Sequence, residues 1–571
     1  MPNFVHAAPV LVLNFSDITS GPKTGNTDGV GSGAIVTVWG NNLGSTQGTS
    51  KVYVGNVEAT AIYYWKDADG TLPGGPAELK TYHKMQEIAF AIPAGATDGS
   101  NTIKVKVNGV DTNTLPFTVR SGNIRFVKSG GSDSNAGTWS SPWATLNGAM
   151  DGQHATTGDT VYSVGVDSTT GIKLAGNASL TGTSSNPIAL IAYPNTSVAV
   201  SGHGGAAGVV TNWYPSARNN DYVHLSKLYI TASQSSGNLD TEPLNGINAV
   251  SHGRVVGVAI TGPTVYGGYG GAIAGTEGHA EGGTYLGVYI HHYGLPTHYS
   301  YNWDDSTWTS SPYTYSNGTC TNCTSVDRFQ HLYYINHRVS NTQGEAYEIG
   351  WNHLTDNPIL SGIHIYDMGD SGGWSGTMKI HHNVIKNQRG GSIDCINTGS
   401  AGVTHLDVYN NLIIIDANES YNHGRAFDFG AAVIKFYNNT VYGYSWPNQL
   451  DGSNVDFRNN IMVDNRDNVS LTSHTPSTSS NNIFNSTGST TKPAWVTTTA
   501  NPLFNNAGSY DFSLQTGSPA INAGYNTTAT VATDFLGQPR TAGSVSIGAF
   551  EDASSVSDTT APSAPSGLSV R

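Results

Sequence analysis

The sequence predicts an all-β chain: a long parallel β-helix preceded by a small antiparallel β-sandwich. Three observations carry this. First, a short pattern recurs between about Leu332 and Ile461, in Ile349-Gly-Trp-Asn-His-Leu354, Ile380-His-His-Asn-Val384, Val408-Tyr-Asn-Asn-Leu412, Phe436-Tyr-Asn-Asn-Thr440 and Phe457-Arg-Asn-Asn-Ile461. With polar pairs set at Asn352/His353, His382/Asn383, Asn410/Asn411, Asn438/Asn439 and Asn459/Asn460, the steps are 30, 28, 28 and 21 residues, the period of a solenoid. Second, the repeat is rich in β-branched and aromatic residues and has no helical period. Third, Lys379, Asp407, Lys435 and Asp456 share one position and alternate in sign, as an exterior column of stacked turns does. Turns stacked at ~4.8 Å put asparagine above asparagine, so a ladder of amide hydrogen bonds is expected at the corner.

The totals agree. A chain of 571 residues with 69 glycines and 12 % charged residues is a turn-rich β-protein with a large core. Its net charge of −14 argues against nucleic acid or an anionic membrane as partner. No apolar run is long enough to span a bilayer. The start, Met1-Pro-Asn-Phe-Val-His-Ala-Ala, has neither a basic nor an apolar leader region, so secretion would imply a signal already removed. Of the three cysteines, Cys320 and Cys323 read as a small-loop disulfide rather than half a zinc site, since no second pair completes four ligands. Cys395, between Ile393 and Ile396, reads as core.

Residues 1–120 read as a separate unit. Val36-Thr-Val-Trp-Gly-Asn-Asn-Leu43, Lys51-Val-Tyr-Val-Gly55, Glu87-Ile-Ala-Phe-Ala-Ile-Pro93 and Asn101-Thr-Ile-Lys-Val-Lys-Val-Asn-Gly109 alternate apolar and polar residues and end in or beside Gly, Asn or Pro. That predicts a sandwich of about seven strands. These segments resemble the IPT/TIG immunoglobulin-like domain, which implies an immunoglobulin-like fold and leaves open a spacer, binding or dimerisation role.

Residues 121–555 form the β-helix. Arg125-Phe-Val-Lys-Ser-Gly-Gly-Ser-Asp-Ser-Asn-Ala-Gly-Thr138 and a helix expected near Pro142 open it, since a solenoid must cap its first apolar turn. Thr160-Val-Tyr-Ser-Val164, Ile188-Ala-Leu-Ile-Ala-Tyr193, Val223-His-Leu-Ser-Lys-Leu-Tyr-Ile230 and Val255-Val-Gly-Val-Ala-Ile260 continue the turns, which fade after Val463. The opening segment is similar to that of secreted right-handed parallel β-helix proteins of the pectate-lyase-like superfamily. Asn501-Pro-Leu-Phe504, Gly517-Ser-Pro-Ala-Ile-Asn-Ala-Gly524, Asp534-Phe-Leu-Gly-Gln-Pro-Arg540 and Ile547-Gly-Ala-Phe-Glu551 resemble the closing segment of bacterial β-helix polysaccharide-active proteins. The resemblance implies a secreted, modular, carbohydrate-active protein. Residues 556–571 read as a Pro/Ser linker, and the chain is expected to continue past Arg571.

Two features suggest chemistry. The insertion at 293–329 carries Trp303, Trp308, Tyr313 and Tyr315, rings suited to stacking on sugars; Trp374 joins them as a candidate contact. Aligning Leu332-Tyr-Tyr-Ile335, Ile363-His-Ile-Tyr-Asp367, Ile393-Asp-Cys-Ile-Asn397 and Phe427-Asp-Phe429 points Ile363, Ile393 and Phe427 inward. It points Tyr333, His364, Asp394 and Asp428 outward in one column, with Arg425 beside Asp428 and Asp367 at a strand end. Carboxylates one turn apart perturb each other, leaving an acid beside a base. Asp394 and Asp428 are therefore the expected catalytic pair, with His364 and Asp367 tuning them and Tyr333 and Arg425 binding substrate. His291, His292, His381 and His382 are assigned to the structural corner, while Glu345 and Glu348 are further groove candidates.

An Asp- and aromatic-rich face favours a glycoside hydrolase without cofactor, working as a monomer on an extended polysaccharide. A polysaccharide lyase is the alternative, with calcium on Asp356, Asp367 and Asp370 and Tyr333 and His364 as acid and base. A non-catalytic adhesive protein is the third class.

Overall fold

The computed structural model describes residues 10–151, 154–174, 180–202, 210–212, 221–232, 245–248, 252–262, 270–275, 282–291, 314–316, 319–321, 330–336, 347–357, 361–367, 377–388, 390–397, 404–416, 425–430, 432–444, 449–450, 454–463, 475–485, 495–496 and 498–552. Trp303, Trp308, Tyr313, Trp374, Asp370, Glu345, His292 and Cys323 lie outside them, and so do the side chains of Tyr315, Cys320 and Asp367.

The N-terminal sandwich pairs a four-stranded sheet with a five-stranded one. Val36, Val38, Ile88, Phe90, Ile103 and Val105 fill its centre and are buried, each from an alternating strand whose other face is more polar. The short strands Ser20–Gly21 and Val57–Ala59 bring the total above the seven read from sequence.

From Ile124 onward the described residues coil into three parallel sheets of twelve, eleven and nine strands. One turn shows the plan. Tyr347–Gly350 lies in the first sheet, Trp351 and Asn352 make a corner, His353–Asn357 lies in the second sheet, and Ile363–Asp367 lies in the third. Thr377–His381 then starts the next turn directly beside Tyr347–Gly350. The inward column of the third sheet is apolar throughout: Ile172, Ile247, Ile273, Tyr333, Ile363, Ile393 and Phe427 are all buried.

The corner ladder forms as expected. Asn352, Asn383, Asn411, Asn439, Asn460 and Asn482 are buried in one column. Asn383, Asn411, Asn439 and Asn460 each donate from Nδ2 to the Oδ1 of the next asparagine at 2.9–3.2 Å. Each residue just before the ladder has positive φ, including Trp351, His382, Asn410, Asn438, Asn459 and Asn481, which asparagine tolerates better than most residues. The first pair is therefore Trp351/Asn352, one residue earlier than the sequence alignment set it, because a Trp replaces the usual polar residue at that bend. The charge column also forms, with Lys379, Asp407, Lys435 and Asp456 as successive strand partners.

Several expectations shift. The capping helix spans Leu146–Met150, with Thr145 as N-cap accepting from Gly148 N; the preceding residues instead pair with the first strand through Val127 and Trp143. The turns continue past Val463 through Thr478–Ser480 and Ile483–Asn485, where Asn482 extends the ladder. His291 is not at the corner: it ends a second-sheet strand and stacks on Tyr289 at 4.4 Å. The corner of that turn is Gly287, with φ 59°.

The sandwich and the closing segment both lie along this corner. Phe15, Trp39, Leu79 and Met85 of the sandwich share an apolar cluster with Val256 and Leu286 of the first sheet, against which Trp351 packs. A Cβ on Gly257 would sit 2.8 Å from Trp39, and one on Gly287 would sit 2.7 Å from Phe15, so these two glycines let the sandwich approach. On later turns, Asn410, Asn438, Asn459 and Asn481 donate to the carbonyls of Thr533, Ser546, Tyr525 and Ala523 in the closing segment. Arg540, inside that segment, pairs with Glu551 and donates to Asn410 Oδ1 at 2.9 Å.

Candidate functional site

Strand pairing in the third sheet decides which side chains share its outer face. Ala274 lies opposite Tyr334, Tyr334 opposite His364, His364 opposite Asp394, Asp394 opposite Asp428, and Asp428 opposite Gln449. His364, Asp394 and Asp428 thus stand in one column, one strand step apart. Tyr333 does not join them. Its partner is Ile363, it is fully buried, and its ring meets Tyr285 in the core at 5.6 Å. Two tyrosines follow each other here, and a one-residue slip exchanges inside for outside; the outward ring is Tyr334.

The two carboxyls occupy different surroundings. Asp394 is 7 % exposed. Its Oδ2 accepts a hydrogen bond from Ser361 Oγ, and its Oδ1 is buried. Burial, then the neighbouring Asp428 charge, push this carboxyl up to about 7, while Ser361, Arg425 and the Gly391 N–H pull the other way. The Asp428 side chain is 20 % exposed and lies 2.5 Å from Arg425 Nη1. One acid is therefore desolvated and the other is partly exposed beside a positive charge, the split that separates an acid from a base.

Next to Asp394 stands a stack of rings. His331 and His364 lie face to face at 4.2 Å, and Tyr334 stacks on both at 5.3 and 5.4 Å. Burial pushes the His364 imidazole down to about 4, and burial followed by His364 lowers His331. Both rings are neutral at neutral pH, so His364 brings no positive charge to Asp394.

Other candidates are dispersed. Asp367 pairs with Asn397 at the far end of its strand. Asp356 lies in the second sheet and accepts from Asn387 Nδ2 at 3.1 Å, while Asp370 and the Asp367 side chain lie outside the described residues. Among the described residues no group of three His, Cys, Asp or Glu side chains is placed to hold a metal. Glu348 lies in the first sheet and bonds His381 Nε2 at 3.1 Å, away from the column. Cys395 is buried in the core.

Sequence reading missed Ser361, Gly391, His331 and Tyr334. Tyr334 was passed over for its neighbour Tyr333, and only its strand pairing with His364 singles it out. Ser361 and Gly391 precede their strands' periodic residues and look like ordinary turn residues until the neighbouring strand is in place.

Residues 14–120 match the IPT/TIG domain. The IPT/TIG domain touches the helix at the corner of the first and second sheets, through contacts such as Lys227 with Thr37 and His83 with the His382 carbonyl. The acid pair lies on the third sheet. No curated protein matches the chain. Among solved structures, the chain is similar to pectate lyase Pel9A at 15 % identity and TM-score 0.40, covering 76 % of this chain and 96 % of that one. It is also similar to the GH136 lacto-N-biosidase of Eubacterium ramulus at 12 % identity and TM-score 0.36, covering 66 % of each. A rhamnogalacturonan lyase matches at 13 % identity and TM-score 0.31, covering 66 % of this chain and 84 % of that one.

Proposed function

We propose that the chain is a carbohydrate-active enzyme, and specifically a glycoside hydrolase whose acid is Asp394 and whose second carboxylate is Asp428. The observation that supports it is the pairing of these two residues on adjacent third-sheet strands in opposite surroundings. Asp394 holds its proton close to neutrality and can pass it to the departing glycosidic oxygen. Asp428, beside Arg425, is the carboxylate that faces the positive charge developing on the sugar ring, as nucleophile or as base for water. A single strand step of ~4.8 Å between them favours the nucleophile role, since retaining enzymes set their carboxyls about 5–5.5 Å apart. The parallel-sheet face suits an extended glycan lying across successive turns. Secretion and a monomeric working state belong to the same reading.

A lyase reading has one observation in its favour: Arg425 stands on the same face and could neutralise a uronate carboxylate. A polysaccharide panel assayed for new reducing ends, and for the ultraviolet absorbance of unsaturated uronate, tests both. Reducing ends without that absorbance, lost in Asp394→Asn, support the hydrolase. Both signals together overturn it for the lyase. Binding without either signal overturns both for an adhesive role.

A further inference from the structure

The carboxyl of Asp394 is folded down onto its own strand. A Cβ built on Gly391 would lie 1.5 Å from Asp394 Oδ1 and 2.3 Å from Cγ, and its three nearest atoms all belong to the Asp394 carboxyl. Gly391 is not among the positive-φ glycines, so its backbone accepts any L-residue; the missing side chain serves the aspartate. From the preceding turn, Ser361, itself buried, closes over the same carboxyl by donating to Oδ2. Oδ1, the oxygen lying over Gly391, is shielded from solvent, and the Gly391 N–H bonds to the same carboxyl.

We infer that Gly391 and Ser361 form a niche that stows the Asp394 carboxyl against the third sheet, and that they are positioning residues for it: Gly391 by leaving room, Ser361 by latching the carboxyl in place. This rests on the reading of Asp394 as the acid. Oδ1 is the oxygen turned toward Gly391, whose backbone N–H, like Ser361, favours the ionised carboxyl. A rotation about the Asp394 side-chain bonds lifts that oxygen out of the niche toward a sugar on the groove face. The Ser361 hydroxyl and the backbone of Gly391 stay behind.

The niche makes two predictions of opposite sign. In Gly391→Ala the added methyl evicts the carboxyl into solvent, and the Asp394 titration midpoint falls by ~1 unit or more, since burial is the main cause of its elevation. In Ser361→Ala the carboxylate loses one of its two donors and the midpoint rises by ~1–2 units, the value of a hydrogen bond to a charged group. Ser361→Thr keeps the hydroxyl and restores the original midpoint. Carboxyl-carbon NMR titration of Asp394 in the full chain reads this directly, with Asp394→Asn assigning the signal and thermal melts confirming that each variant is folded. The alkaline limb of kcat/KM on a cleaved glycan should move with each midpoint. Midpoints unchanged in both variants, or moved in the same direction, overturn the niche. Opposite shifts with no glycan cleaved by any form leave the niche standing and remove the hydrolase.

Discussion

Lys227 Nζ, from a turn of the β-helix, donates to Thr37 Oγ1 inside the IPT/TIG domain at 3.0 Å. The lysine is 4 % exposed, and Asp17 and Glu87 are its nearest countercharges. Arg254 adds bonds to the carbonyls of Ser16 and Asp17. The two units are thus joined by buried hydrogen bonds, beside two carboxyls that burial holds above their usual range. Lys227→Ala removes this buried bond together with the packing of the lysine stem and should cost ~1–3 kcal/mol, read by denaturant unfolding. Lys227→Met, which keeps the stem, should cost less when Glu87→Gln accompanies it.

The same contact makes stability depend on pH. Burial holds the Glu87 carboxyl well above its usual range, opposed by the Gly75 N–H and nearby lysines. The folded protein therefore retains a proton that the unfolded chain releases above about pH 4.5. The contribution is full below that pH and is lost as pH rises through the raised value. Glu87→Gln should flatten this decline, seen as a smaller fall in Tm between mildly acid and mildly alkaline buffer.

At the corner, Asn411 Nδ2 donates to Ile380 O and Asn439 Oδ1, both at 2.9 Å, and its Oδ1 accepts from Asn383. Asn411→Ala removes these bonds and leaves buried backbone groups unpaired, for ~2–4 kcal/mol. Asn411→Asp should be as harmful, because it replaces two donors by a charge. Comparison with exposed Asn505→Ala, expected to change little, checks the assignment.

This ladder was the most legible part of the chain, because stacking forces equivalent residues to recur at similar intervals and asparagine tolerates the left-handed bend. The Asp394–Asp428 pairing was legible for the same reason: each aspartate follows an apolar inward residue. Tyr333 was misread because Leu332, Tyr333 and Tyr334 give no alternation to fix the phase. The niche residues escaped because a glycine or serine at a strand start has many uses, and only the adjacent strand selects one. The docking of the sandwich was illegible for a deeper reason. Lys227 and Arg254 look like ordinary exposed residues until a second unit covers them.

Arg425 sets the electrostatic balance of the candidate site. It lowers Asp394 through its charge while pairing with Asp428. Arg425→Ala should therefore raise the Asp394 midpoint and move the alkaline limb of kcat/KM upward, with kcat reduced as Asp428 loses its anchor. A pH–rate profile against the parent protein decides this; a limb that moves downward contradicts the assignment.

Both flanking units converge on one turn. His83 of the IPT/TIG domain bonds the His382 carbonyl at 2.8 Å, and His382 Nε2 bonds the Asp534 carbonyl of the closing segment at 2.9 Å, with Phe535 stacked on His83 at 5.0 Å. Residues some 450 positions apart in the chain are thereby buckled together, like a belt whose ends meet over its own waist. A single protease cut in the link between sandwich and helix should leave the two fragments travelling as one particle on a native column, parting only in denaturant.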